Sequence, residues 1–304
     1  MIKKPIFTKL ALGISSTLAT VYLGISAFAA HTLSIPKRAF NPAAVSAFSR
    51  PPIDVEFTTS DGVKISGWFE RSPISNNANN SKALILVHGM NSSRTKEFGG
   101  KFPEFAAAMV KRGFNVLLID LRGHGKSADA RFTFGLAEKN DVLGAVNWLK
   151  NQGFKSKQIG ILGVSMGGAS AIAAVVDESE IGALVVDCTF AEVYPLIQRE
   201  WQSASGLPDL FLPSTMIFAH LFTGYDLTSS KPVEQIKRIS ARPVLIIHSA
   251  IETYIPVSNA YALKAADPNA EFWQTTAKLH ARNYNADPQA YVNQVTNFFN
   301  RSLK

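Results

Sequence analysis

From Ala83 onward the chain alternates short, uncharged apolar runs with longer amphipathic stretches. The runs Ala83–Val87, Asn115–Ile119, Gln158–Leu162, Ala183–Val186, Pro243–Ile247 and Ala270–Gln274 have strand length and lack every-second-residue polarity. Such continuous runs fit strands covered on both faces. Between them Pro103–Arg112, Leu136–Lys150 and Val257–Ala266 carry helical spacing, and Asp287–Asn300 forms a closing helix. This alternation predicts an α/β fold with a mostly parallel, doubly wound sheet and right-handed crossovers. Ligands of such a fold bind beyond the carboxyl ends of the strands. Ahead of it, Ile53–Thr58 and Val63–Glu70 around Asp61-Gly62 predict a hairpin. The polar stretch Ser72–Ser81 reads as a loop.

Two segments fall outside the alternation. Thr189–Lys231 is aromatic-rich, with Phe190, Tyr194, Trp201, Phe211, Phe218, Phe222 and Tyr225. It is expected either as a small helical cap over the site or as plain surface helices packed on the core. Residues 34–52, with Pro36, Pro42, Pro51 and Pro52, read as a linker. That gives 1–33 as an N-terminal segment, 34–52 as the linker and 53–304 as the main domain.

The N-terminal segment bears on location. Lys3, Lys4 and Lys9 precede an uncharged apolar stretch from Leu10 to about Leu33. About 20 apolar residues suffice to span a bilayer as a helix. Basic residues ahead of them favour a cytoplasmic amino terminus, with the remainder outside the cytoplasm. The alternative is a cleaved secretory signal, with Ala27-Phe28-Ala29 as the processing site and a secreted or periplasmic product. The apolar run is longer than a usual signal core, which favours a retained membrane anchor.

Composition adds limits. Of 304 residues, 46% are hydrophobic and 18% charged, which excludes a disordered chain. The formal net charge of +8 is scattered, with no dense basic run, so no nucleic-acid partner is expected. Cys188, the single cysteine, lies in an apolar run and reads as a buried structural thiol. No phosphate loop, dinucleotide fingerprint, or clustered His and Cys ligands occur, so no cofactor or metal is expected.

The chemistry concentrates at strand ends. A hydroxyl becomes a good nucleophile only when a base takes its proton and donors hold the resulting oxyanion. In Gly163-Val164-Ser165-Met166-Gly167 a strand runs directly into a helix start, and Ser165 sits on the turn. Gly163 and Gly167 permit the strained turn that exposes the serine, and the Met166 N–H faces the developing oxyanion. Earlier, Leu86-Val87-His88-Gly89-Met90-Asn91 ends another strand and offers the Met90 N–H as second donor, with His88 propping the loop. The segment Asp120-Leu121-Arg122-Gly123-His124-Gly125-Lys126-Ser127 is structural, with Asp120 and Arg122 expected to pair across it.

Together His88-Gly89, Asp120 through Ser127 and the Ser165 elbow resemble the α/β-hydrolase superfamily. In particular, they resemble membrane-anchored hydrolases grouped with serine aminopeptidase-like and Bem46-like proteins. The resemblance spans about residues 53–302 and implies the order nucleophile, acid, base. Where the family reads His-Gly-x-x-Asp-x-x-(Val/Ile)-Pro, this chain has His248-Ser249-Ala250-Ile251-Glu252-Thr253-Tyr254-Ile255-Pro256, which puts Glu252 on the acid position. His280, after the last strand, falls on the base position, preceded by Leu279 where the family has Gly. Asp187 is a fallback acid, while His31 and His220 fit less well.

The implied function is hydrolysis of an ester, amide or peptide bond of a small molecule or peptide through an acyl-enzyme on Ser165. The substitutions at Ser249, Glu252 and Leu279 leave open a non-catalytic binding protein on a decayed scaffold. Acyl transfer to another alcohol is a third possibility.

Overall fold

The computed structural model describes residues 4–74, 81–239 and 242–304, with the side chains of the first helix described at residue 13 and from 15 on. Part of the Ser72–Ser81 loop, and the side chains of Lys3, Lys4 and Lys9, lie outside the described residues.

Eight strands form one sheet: β1 Ile53–Thr58, β2 Lys64–Glu70, β3 Ala83–Val87, β4 Asn115–Ile119, β5 Ile159–Val164, β6 Ala183–Asp187, β7 Val244–Ser249 and β8 Glu271–Thr275. Their order is β1-β2-β4-β3-β5-β6-β7-β8. The hairpin β1–β2 pairs antiparallel, from Ile53 against Phe69 to Thr58 against Lys64, and β2 is antiparallel to β4. From β3 to β8 the strands run parallel. This is the expected mostly parallel α/β sheet.

The longer helices are α1 Lys4–Leu33, α2 Phe102–Lys111, α3 Lys139–Asn151, α4 Met166–Asp177, α5 Val193–Ser205, α6 Leu212–Thr223, α7 Ser258–Ala266 and α8 Pro288–Ser302. Strand side chains alternate between two buried layers. Ile85 and Val87 join Val146, Leu149 and Ile172 on one face, whereas Leu84 and Leu86 join Phe105, Met109 and Phe298 on the other. Both faces are therefore covered, which explains why these strands carry no polar alternation. Several strands reach further toward their carboxyl ends than the apolar runs suggested. Thus β5 runs to Val164 and β7 to Ser249, because His248 and Ser249 are fully buried. The extra ladder bonds carry the chain directly into the site.

Two N-terminal expectations need correction. The segment 34–52 is packed against the domain, not a free linker. Phe40 and Phe48 meet the Trp68 ring edge-on at 5.8 and 6.4 Å, and Arg38 pairs with Asp129 at 2.5 Å. The expected transmembrane helix is not supported either: among the described residues no helix is long and apolar enough to cross a membrane. Instead, the carboxyl-terminal half of α1 lies parallel to α6. The Tyr22 ring stacks on Phe211 at 5.0 Å, Ser26 Oγ lies 2.7 Å from Ser214 Oγ, and Ala29 and Ala30 are buried. Small residues allow this close approach, and they leave no amphipathic period to signal it.

Candidate active site

Ser165 follows β5 and immediately precedes α4, with φ 54° and ψ −119°. A non-glycine residue rarely adopts positive φ, and such strain persists only where its surroundings fix it. Here the Ser165 N–H is held by Asp187 O at 2.8 Å. The glycines on either side are sterically required. A Cβ at Gly163 would stand 2.4 Å from Gly167 O, and one at Gly167 2.4 Å from His88 O. The sequence thus folds into an elbow because no bulkier residue fits against the neighbouring strand end.

His280 and Glu252 come from the loops after β8 and β7. His280 Nε2 lies 2.9 Å from Ser165 Oγ, and His280 Nδ1 lies 2.5 Å from Glu252 Oε1. Glu252 Oε1 also accepts the Ile255 N–H at 2.8 Å. The glutamate is buried, which alone would raise its pKa. The hydrogen bond and charge of His280 outweigh burial and hold the carboxyl below the usual glutamate range. It is therefore an acceptor-only carboxylate that fixes the imidazole with its proton on Nδ1 and its lone pair on Nε2, toward Ser165. Ser249, in place of glycine, donates its hydroxyl to Ala277 O at 2.6 Å and ties the acid loop to the base loop. Leu279 is exposed and makes no demand on the site.

On the opposite side, Met166 opens α4, where a first-turn N–H has no intrahelical acceptor. Met90 follows Gly89, whose own Cβ would meet Ser165 Cβ at 3.1 Å, so this loop abuts the serine. Gly89 N–H is taken by Glu97 Oε2 at 2.7 Å. His88 is buried and props the loop: its Nε2 accepts the Leu121 N–H at 3.0 Å. His124 does the same for the Asn91 N–H at 3.1 Å. Burial lowers His88 to about 4. Burial, with His88 beside it, lowers His124 to about 3. Both are neutral imidazoles, as acceptors must be.

Two sequence expectations fail here. Asp120 and Arg122 do not pair, because the chain leaves β4 at Asp120 and turns, sending the side chains apart. Asp120 pairs with buried Arg94, whose guanidinium sits 4.8 Å from the ring centres of both Phe40 and Trp68. Arg122 instead bridges Asp61 at 2.7 Å and Asp141 at 2.8 Å. Asp187, the fallback acid, is not the carboxylate that meets His280, which is Glu252. Asp187 accepts from Asn283 Nδ2 at 2.5 Å and Tyr291 OH at 2.8 Å, and burial raises its pKa to about 6 despite those bonds. Cys188 is buried, and burial with the nearby carboxylates pushes its thiol well above the usual range, keeping it protonated. His220 is exposed on α6, and His31 meets Arg131 at 2.8 Å.

Glu97, Arg94, Asn283 and Tyr254 shape the site without any signal in the sequence. Arg94, Asn283 and Tyr254 meet partners far along the chain, whereas Glu97 folds back onto Gly89, eight residues earlier, and only the folded contacts single them out. The Tyr254 ring lies 5.0 Å from the His280 ring and helps wall a cavity of about 370 Å³. That cavity runs from Met90 and Tyr254 under α5 and α6 to Ala30 and Leu33 of α1. Ser165 and His280 are not among the residues that line it.

The chain is similar to known hydrolases in sequence and in fold. A model of the family described as "Serine aminopeptidase, S33" matches residues 78–243. YqkD of Bacillus subtilis is 33% identical over 220 residues, 71% of this chain and 70% of that protein. YfhR of Escherichia coli K12 is 28% identical over 66% of this chain and 63% of its own length. Among solved structures, the esterase Pf2001 of Pyrococcus furiosus superposes with a TM-score of 0.69 at 30% identity, covering 88% of this chain and 98% of that one. The fold, the elbow and these matches lead to one conclusion: the chain is a serine-type α/β-hydrolase and belongs to the serine aminopeptidase S33 family.

Proposed function

We propose that the protein is a carboxylesterase-like enzyme that cleaves esters of apolar acyl groups through an acyl-enzyme on Ser165. The observation that carries this is the continuous chain from Ser165 Oγ through His280 to buried Glu252, at 2.9 and 2.5 Å. In the first half-reaction Ser165 Oγ attacks the carbonyl carbon and its proton passes to His280 Nε2. The Met90 and Met166 N–H groups hold the oxyanion. The intermediate collapses, and the leaving alcohol takes the proton from His280. Water, deprotonated by the same nitrogen, then releases the acid. Glu252 stabilises the imidazolium at both stages.

The cavity supports an apolar acyl group. Phe132, Phe134, Leu196, Trp201 and Met216 line it, and the segment 189–231 acts as its cap. A fluorophosphonate probe tests the reading: it labels the wild type and spares Ser165→Ala. Equal labelling of both proteins, or of neither, rejects it in favour of a binding protein on this scaffold. Acyl transfer is the second reading, favoured by the relative named "Polyketide transferase grgF" from Penicillium, 31% identical over 46% of each chain. Product analysis with a competing alcohol separates transfer from hydrolysis.

The exposed Leu18, Val21 and Phe28 of α1 support a further proposal. In it, the N-terminal segment associates with a membrane and holds the catalytic domain outside the cytoplasm. Cell fractionation with protease protection tests both parts.

A further inference from the structure

Behind the triad, Cys188, which the reaction does not use, stands next to its acid and base. Cys188 Sγ, a Glu252 carboxylate oxygen and a His280 ring nitrogen lie within 4.8 Å of one another. Cys188 is fully buried at φ 52°, just past β6, a backbone conformation that non-glycine residues seldom take. Glu252 Oε2, on a side chain with no exposed surface, has no nitrogen or hydroxyl hydrogen-bond partner; His248 Nε2 stands 3.8 Å away, and the carboxylate interacts with the Cys188 thiol. The carboxylate's other oxygen is fully engaged by His280 and Ile255. Asn283 Nδ2 donates to the sulfur at 3.3 Å. A donor there suits a sulfur carrying negative charge, as outer contacts of metal-bound thiolates do.

We infer that Cys188, Glu252 and His280 form an inhibitory site for a thiophilic divalent cation, with zinc the best fit. One sulfur, one carboxylate oxygen and one imidazole nitrogen are ordinary zinc donors. Zinc binds them at about 2.0–2.3 Å, which sets donors on a tetrahedron about 3.5 Å apart. The three donors now lie within 4.8 Å of one another, so binding requires them to adjust to that spacing. Magnesium and calcium require oxygen-rich shells, which this set lacks. Binding releases the thiol proton to solvent. It also takes the Nδ1 lone pair, so the imidazole proton must reside on Nε2. In that tautomer Nε2 donates toward Ser165 Oγ and has no lone pair to accept its proton. The metal therefore silences the serine without touching it.

The inhibition rests on the reading of His280 as the base, whereas binding does not, and the experiment separates the two. Purified full-length protein is titrated with zinc chloride, with magnesium chloride as control, while hydrolysis of a p-nitrophenyl ester is followed. In parallel, cobalt(II) is added to the wild type and to Ser165→Ala, and thiolate-to-cobalt charge-transfer absorption is recorded. Zinc is expected to suppress the rate reversibly, with EDTA restoring it and magnesium inert. Cys188→Ala and Cys188→Ser, each compared with its own metal-free rate, should need roughly tenfold or more zinc for the same inhibition. Cobalt–thiolate absorption should appear in the wild type and in Ser165→Ala and vanish in both Cys188 variants. The site is overturned if the cobalt band is absent from the wild type or if both Cys188 variants remain as zinc-sensitive as the parent. An inactive wild type that shows the band leaves the metal site standing and rejects the hydrolase reading instead.

Discussion

At the scale of single residues, the acid position carries glutamate where the family pattern the chain resembles has aspartate. Glutamate is one methylene longer than aspartate, yet Glu252 keeps its carboxylate 2.5 Å from His280 because its loop is pinned by Ile255 N–H. The carboxylate's task is to hold one tautomer and stabilise the imidazolium. Glu252→Gln, which offers an amide where an anion is needed, is expected to lower kcat by roughly 10³–10⁴ with little change in KM. Glu252→Asp should be milder, because the charge survives while the reach shortens. Steady-state kinetics on one ester decide both. A comparable loss for the two variants would mean that length, not charge, governs the position. Arg94 offers a second test at this scale. Its removal leaves Asp120 as an uncompensated buried charge, so Arg94→Ala should cost about 3–5 kcal/mol in urea unfolding.

Among the elements, α1 departs most from the sequence expectation. Its apolar run looks detached because no polar face marks a packed side. The contact with α6 uses a narrow stripe of Ser26, Ala29 and Ala30, too small to produce a period. A bulky residue there should pry the helices apart. Ser26→Leu, placed where two hydroxyls are 2.7 Å apart, is expected to destabilise the contact by about 1–3 kcal/mol. Limited proteolysis should then cut within residues 15–33 faster than in the parent, with the strands of the sheet unaffected. By contrast, the sheet and the Ser165 elbow were legible because their signals are local: apolar runs, and glycines at fixed offsets from a serine. The Asp120–Arg122 pairing was misjudged for the opposite reason. Their true partners, Arg94, Asp61 and Asp141, lie from 19 to 61 residues away, where spacing carries no information. Asn283, whose partner Asp187 lies 96 residues away, gives no local signal on the same ground.

For the molecule as a whole, two buried histidines make acid a hazard. The unfolded chain protonates its imidazoles near 6.5, whereas His88 resists protonation until about 4 and His124 until about 3. Taken alone, these two imidazoles lower stability as the pH drops from about 6.5 toward 4. The carboxyls of Asp187 and Asp141, raised by burial to about 6 and about 7, bind protons in the folded state over the same range and act in the opposite sense. The His88 difference alone corresponds to about 3 kcal/mol. The histidine contribution is read by difference. The urea midpoint of His124→Gln, whose amide oxygen accepts the Asn91 N–H at any pH, should fall less than the parent's as the pH drops from about 6.5 toward 4. Identical pH profiles for the two proteins would contradict the neutral assignment of His124.

The cavity beside the site has one wall that belongs to α1, through Ala30 and Leu33. Anything that fills it touches both the catalytic domain and the chain's own N-terminal helix. Occupancy and helix docking then share one free energy, so each must strengthen the other by the same factor. A tight-binding acyl product would protect α1 from proteolysis, and a variant that loosens α1 would release that product faster. A ligand that filled this cavity would therefore be held in part by the N-terminal helix and would hold that helix in turn.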